Sequence, residues 1–171
     1  RSSGRRSMAP MIRPDVAADV STLLELITGL ARYERLEHEL ELDRERLHRH
    51  LFGAAPAAFA LIAEDRAAEG DAAAVGFALC FATFSTFKCA PCLHLEDLFV
   101  LPEHRGRGHG LRLLRAVAEE AVRRGCPRLD WNVLDWNEPA IEFYRAQGAD
   151  LLPDWRTCRL TGEALRRMAA A

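Results

Sequence analysis

A run of six residues, Arg105-Gly106-Arg107-Gly108-His109-Gly110, constrains this chain more than any other feature. Just ahead of it, Leu93-His94-Leu95-Glu96-Asp97-Leu98-Phe99-Val100-Leu101 has the length and composition of a buried strand. Behind it, apolar side chains recur at 111, 114, 117, 118, 121 and 122, with Arg112, Arg115, Glu119 and Arg123 on the other side. That spacing predicts an amphipathic helix over 111–124. Strand, glycine-rich turn and helix N-terminus together make an anion site. Glycine lets the backbone come close, first-turn N–H groups point outward unpaired, and the helix dipole favours negative charge. The expected ligand is a phosphate or pyrophosphate. The interval G-x-G-x-G is not the G-x-G-x-x-G of a dinucleotide fold, and His109-Gly110-Leu111 supplies no Lys-Ser/Thr pair for a P-loop.

Composition narrows the class further. The chain has 171 residues, enough for one domain with a sizeable core, and its hydrophobic share of 49% is ordinary for a soluble protein. A formal net charge of −2 gives no basic excess with which to hold nucleic acid. No apolar run approaches the roughly twenty residues that span a bilayer, so no membrane role is expected. Residues 1–10 are expected to be a tag remnant or disordered tail, without a secretory signal, and 11–171 a single domain. Five cysteines make an odd count. Cys89-Ala90-Pro91-Cys92 is a C-x-x-C without a second pair, read either as a turn or as a regulatory disulfide. Cys80, Cys126 and Cys158 are expected to be core thiols. His94 sits on a strand and His104 and His109 in the loop, and no metal is expected from them.

Along the chain, residues 11–13 predict a strand ended by Pro14. Asp15 is placed to cap a helix whose inner face is Val16, Val20, Leu23, Leu24, Ile27 and Leu30, loosening near Gly29. A second helix fits 43–52, with Leu47 and Leu51 inward, and strands fit 59–63 and 74–84 around an acidic loop. After the central strand, turn and helix come a strand at 128–134 and a helix capped by Asn137 and stopped by Gly148. A strand near 155–160 and a short helix from Gly162 end the chain. The order β-α-α-β-β-β-α-β-α-β is a mixed α/β arrangement on one core.

The motif R-x-x-G-x-G, preceded by Leu95-Glu96-Asp97-Leu98-Phe99-Val100 and followed by Asp135-Trp136-Asn137-Glu138-Pro139-Ala140-Ile141-Glu142-Phe143-Tyr144, resembles the Gcn5-related N-acetyltransferases. Within them it is most similar to the spermidine/spermine branch, which includes diamine and thialysine acetyltransferases. The resemblance runs from about 11 to 160 and implies the acyl-CoA N-acyltransferase fold: a mixed central sheet with helices on both faces, its fourth and fifth strands splayed. It implies acetyl-CoA as co-substrate. Main-chain groups of Leu98, Phe99 and Val100 would meet the pantetheine arm and acetyl carbonyl. Gly106, Arg107, Gly108, His109, Gly110 and Leu111 would wrap the pyrophosphate, with Arg105 adding positive charge, and Asn137 and Ala140 would line the opposite wall. Asn137 and Tyr144 are seven residues apart, on one helix face. The resemblance makes Tyr144 the acid that protonates the departing thiolate; the bland alternative is a core tyrosine with a satisfied hydroxyl.

Glu96 is the expected base, acting through a water, and is also expected to hold the incoming cation; the alternative is a structural carboxylate satisfied by main-chain groups. A carboxylate in an apolar strand is costly to bury without a partner, and an amine that is mostly ammonium at neutral pH must lose a proton before it attacks. Strand alternation puts Asp97 on the other face. By resemblance Tyr33 and Glu34 line the amine cleft, and Trp131, Asn132 and Trp155 flank it; Glu37, Glu39 and Glu41 read as a solvated face. The chain departs from the polyamine enzymes at 149–155, which is shorter than the acid-containing segment expected before the tryptophan, and at 85–92, which carries Lys88. The expected activity is therefore acetylation of a primary amine on a small cationic molecule, a diamine, polyamine or lysine-like amino acid, by direct attack in a ternary complex. The alternatives are a protein N-terminal or lysine acetyltransferase and a non-catalytic acyl-CoA sensor. A cytoplasmic homodimer, paired through C-terminal strands, is the assembly the branch implies.

Overall fold

A computed structural model describes residues 11–66 and 72–170. The expected tail at 1–10 and the middle of the acidic loop, 67–71, lie outside the described residues. The chain divides into two compact units between Asn132 and Val133.

The first unit is a five-stranded sheet in the order β1-β2-β3-β4-β5. Its strands are β1 (Met11–Pro14), β2 (Phe59–Arg66), β3 (Ala72–Ser85), β4 (Ala90–Val100) and β5 (Leu129–Trp131). The first four run antiparallel and β5 joins β4 in parallel, so the sheet is mixed. Helices α1 (Val20–Glu34) and α2 (Arg44–Phe52) cover one face. There Leu23, Leu26 and Leu51 meet Ala60, Ile62, Phe77 and Phe99 in one cluster, against which Leu79 packs. Helix α3 (His109–Arg123) buries Leu113, Leu114, Val117 and Ala121 on the sheet.

Several local expectations are corrected. Asp15 does not cap α1. A 3-10 turn at Ala17–Asp19 intervenes, and Asp19 takes the Val16 N–H (2.8 Å) while both its oxygens receive the Arg13 guanidinium (2.6 and 2.8 Å). Arg13 also donates to Glu64 (2.6 Å), so one arginine ties β1, β2 and the entry to α1 together. Val16 is exposed and Leu26 takes its place in the core. Gly29 does not loosen α1. It lies inside the helix, where a Cβ would sit 3.1 Å from the Phe99 ring. The buried stripe of α3 includes Leu113, whereas Ala118 and Val122 face solvent.

In the second unit, α4 (Glu138–Ala146) and α5 (Gly162–Ala169) form where the pattern places them. Gly148, at φ 85°, follows the end of α4. Asn137 occupies the N-cap position, yet its side chain makes no cap bond; its main-chain carbonyl accepts from the Ala140 and Ile141 N–H groups. Residues 155–160 form no strand. Strand structure requires a paired neighbour, and this segment has none among the described residues: Trp155 is 75% exposed and Leu160 49%. Cys158 is exposed and Cys126 half-buried, so of the three expected core thiols only Cys80 is one.

Candidate functional site

The site is built where β4 outruns β5. Their pairing covers only Leu93, Leu95 and His94, against Leu129, Trp131 and Asp130. Beyond Leu95 the ladder stops, and, among the described residues, 96–100 keep β3 as their one strand neighbour. A strand edge of this kind presents main-chain donors and acceptors that need partners. Leu98, Phe99 and Val100, the expected pantetheine contacts, all lie on this free stretch, with Phe99 and Val100 buried as side chains.

The same point carries a β-bulge. Cys80 pairs with Leu95 and Leu79 with Asp97, so Glu96 is the extra residue on β4. The bulge overturns the expected alternation. Asp97 lies opposite Leu79, hence on the face covered by α1 and α2. His94, opposite Phe81 with ring centroids 5.0 Å apart, is on that face too, and Glu96 Oε2 reaches back to 3.7 Å from His94 Nε2. Both carboxyls thus serve one side of the sheet. Glu96 is not buried as its apolar strand suggested; its side chain is 54% exposed. Asp97 is the enclosed one. Burial, then repulsion from Glu96 and Glu34, pushes its carboxyl up to about 7.

Glu34 is the last residue of α1, and Arg35 ends the helix in the left-handed conformation (φ 62°). Glu34 and its neighbour Tyr33 are half-buried, and burial raises the Glu34 carboxyl above its ordinary range. Trp131 closes β5, half-buried, with exposed Asn132 next to it.

In the loop, Gly106 (φ 73°) and Gly108 (φ 86°) hold the left-handed backbone that favours glycine. Gly108 is the N-cap of α3, and the first intrahelical bond comes from Arg112 N–H to its carbonyl (3.1 Å). The N–H groups of His109, Gly110 and Leu111 therefore lack intrahelical partners, as an anion at a helix start requires. Gly110 faces Leu98 and Val100 at a distance where a Cβ would make ordinary contact, 3.9 and 4.0 Å. These residues fit a pyrophosphate.

The loop arginines do more than wait for a phosphate. Arg105 donates Nε–H to the Val100 carbonyl (3.0 Å), and its guanidinium stacks over Tyr33 (4.4 Å) and near Phe99 (5.6 Å). Arg107 reaches Asp65 at the end of β2 (3.2 Å). His104 Nδ1 meets the same oxygen at 3.1 Å, and buried His109 approaches it at 3.6 Å. Burial alone would raise the Asp65 carboxyl, but these three neighbours outweigh it and hold it low. Burial lowers His109, partly offset by Asp65. Asp65 escaped the sequence reading because its partners lie 39 and 42 residues away.

In the second unit, Tyr144 is half-buried on α4, and Asn137 and Ala140 open the same helix, Asn137 buried to 8%. Trp155 is exposed outside any regular element. A groove of about 480 Å³ between β1 and α3, lined by Arg13, Arg112, Arg115 and Glu119, holds none of the expected site residues.

A mixed sheet opened between a bulged β4 and a short β5, with a glycine loop leading into α3, defines an acyl-CoA-binding transferase. The model of the acetyltransferase (GNAT) family matches residues 22–149, and the chain belongs to that family. It is an acetyl-CoA-dependent N-acetyltransferase. It is 38% identical over 165 residues to a thialysine N-epsilon-acetyltransferase of Bos taurus, covering 93% of this chain and 96% of that protein. It is 43% identical over 96 residues to an L-ornithine N5-acetyltransferase of Arabidopsis thaliana, covering 56% of this chain and 42% of that one. Among solved structures, an integron cassette protein from the mobile metagenome of V. cholerae matches with a TM-score of 0.77 and 26% identity, over 96% of this chain and 99% of its own.

The Asp97 carboxyl gives a direct test. Its pKa of about 7 stands above the ordinary value of 3.8, so between those pH values the folded chain holds a proton that the unfolded chain has lost. Stability then falls as pH rises through that window. Asp97→Asn should remove the fall, leaving the urea midpoint higher than that of the unsubstituted protein at pH 8 and nearly equal at pH 4. Equal midpoints at both pH values would show a solvated carboxyl.

Proposed function

We propose that the enzyme acetylates a primary amine of a small cation, a lysine-like amino acid, diamine or polyamine, by direct attack in a ternary complex. The observation that carries this is the acidic group formed by Glu34, Glu96 and Asp97. Asp97 is raised by burial and by the other two, with no cation among the causes, and Glu34 is raised by burial. Carboxyls held together at such a cost are complementary to positive charge brought from outside. The named substrates of the bovine and Arabidopsis relatives, thialysine and L-ornithine, both carry an amine remote from an α-amino group, which suits two separated carboxyls.

Acetyl-CoA would lie along Leu98, Phe99 and Val100, its pyrophosphate over residues 106–111, with Asn137 and Ala140 as further contacts. Glu96, exposed and able to pass its proton to water, takes a proton from the ammonium. The amine lone pair then attacks the acetyl carbonyl, the C–S bond breaks as the Tyr144 hydroxyl gives its proton to the thiolate, and the second N–H proton, shed by the nitrogen as the amide forms, passes through water to return Tyr144 to its hydroxyl form. Carboxyls, main-chain groups and Tyr144 carry every step, and no metal enters the transfer. Tyr33, Trp131, Asn132 and Trp155 are assigned to the amine side. Five free cysteines suit a reducing, cytoplasmic setting. Among the described residues, no helix is long and apolar enough to cross a membrane.

Tyr144→Phe keeps the ring and removes the donor. Melting should hardly change, while turnover should fall by roughly 10²–10⁴, the range for a positioned proton donor. A full-rate variant would move the acid role elsewhere.

Glu34→Gln keeps size and removes charge. For a dicationic substrate kcat/KM should drop by an amount equal to about 1.5–3 kcal/mol, the worth of a charge-assisted contact. A monocation should lose far less. Equal losses would point to small amino acids or peptide N-termini as the substrate.

The assembly proposed with this reading is a homodimer. Leu151, Leu152, Trp155 and Leu160, exposed in the second unit, supply apolar surface for a symmetric contact. Sedimentation at micromolar concentration should give the mass of two chains, and a clean single-chain mass would exclude it.

A further inference from the structure

The cluster under the glycine loop is built for more than fastening. Asp65, His104 and His109 each offer one ligand atom, and these atoms lie within 4.8 Å of one another. Asp65 Oδ2 is 3.1 Å from His104 Nδ1 and 3.6 Å from His109 Nε2. Ligands of a tetrahedral ion at roughly 2.0–2.1 Å stand about 3.3 Å apart, which these spacings bracket. His109 supplies the independent sign. Its side chain is 1% exposed, and neither ring nitrogen has a hydrogen-bond partner. A neutral imidazole carries one donor and one acceptor, and a carboxylate at 3.6 Å lies outside hydrogen-bond range. A buried ring aimed at a carboxylate that it does not reach leaves room for an ion between them.

We propose that Asp65, His104 and His109 bind a divalent transition-metal ion, Zn²⁺ by chemistry, which pins the end of β2 to the start of α3. Two imidazoles and one carboxylate suit zinc, whereas Mg²⁺ and Ca²⁺ need six or more oxygens. Asp65 and His104 are 22% and 25% exposed, so the ion enters from their side, and water completes its shell. Arg107 now occupies the same Asp65 oxygen, but its side chain is 58% exposed and swings clear without disturbing the core. The site is structural and independent of the amine reading.

The test uses the full chain stripped with a chelator. Calorimetric titration with Zn²⁺ should give one ion per chain, and Co²⁺ should give the visible bands of a tetrahedral site without a thiolate charge-transfer band. His104→Gln and Asp65→Asn should each weaken Zn²⁺ binding at least about tenfold, while Cys89→Ser should leave it unchanged. X-ray absorption of the zinc-loaded natural sequence needs no variant and should show only nitrogen and oxygen neighbours, with imidazole scattering. No saturable binding, a sulfur neighbour, loss in Cys89→Ser, or full affinity in His104→Gln and Asp65→Asn would each overturn the proposal.

Discussion

Much of this architecture follows from the place where β4 and β5 stop pairing. A strand inside a sheet satisfies its main chain on both edges, whereas β4 does so only as far as Leu95. The bulge at Glu96 falls on the next residue. Bulges turn a strand locally and re-aim its side chains, and this one separates a paired half of β4 from a half whose free edge can take a ligand's amide groups. Phe99 holds that second half in place, with its ring against Gly29 of α1 and its carbonyl 2.5 Å from where a Cβ on Gly76 would stand. One glycine on α1 lets the helix sit close over the Phe99 ring, and one on β3 lets the neighbouring strand's backbone come close.

The electrostatics of the site follow from the same turn of the strand. Without the bulge Asp97 would share the face of Leu95, which pairs with Cys80 rather than with the α1 side. With it, Asp97 comes under the influence of Glu34 and Glu96, and its carboxyl rises to about 7. A carboxyl raised to about 7 beside an exposed one gives the proposed site two unlike carboxyls.

Much of the fold was legible because it rests on local patterns: the glycine run, the 3.6-residue stripe of α3, and the proline and glycine bounding α4. The failures share a physical origin in long-range structure. Nothing local to Leu95-Glu96-Asp97 announces a bulge, since the extra residue is defined by its pairing with β3. Asp65 gains its meaning from residues of another loop, and Asp19 displaced Asp15 because Arg13 reaches it across the chain entry. Residues 155–160 carry Trp155, Cys158 and Leu160, but apolar composition cannot supply the neighbouring strand. Of the candidate site, the residue types in the loop and on β4 were readable, while the burial of Asp97 and exposure of Glu96 were not.

Arg105 shows why motif residues resist single roles. Its expected part was a counter-charge for pyrophosphate, and an exposed guanidinium at the loop mouth keeps that capacity. Yet Nε–H is given to Val100 and the plane lies over Tyr33. Stacking on an aromatic face at an exposed position is worth about 0.5–1 kcal/mol, small beside the fold but comparable to the energies that order a loop. Lysine could not replace it, because only a planar group can stack and donate sideways at once. The arginine joins the end of β4, the glycine loop and the last turn of α1, the three parts that hold thioester, phosphate and amine in the proposed complex. In that proposed complex a shift in any of them would change the footing of the others, so that its cofactor and substrate sides would share one mechanical element.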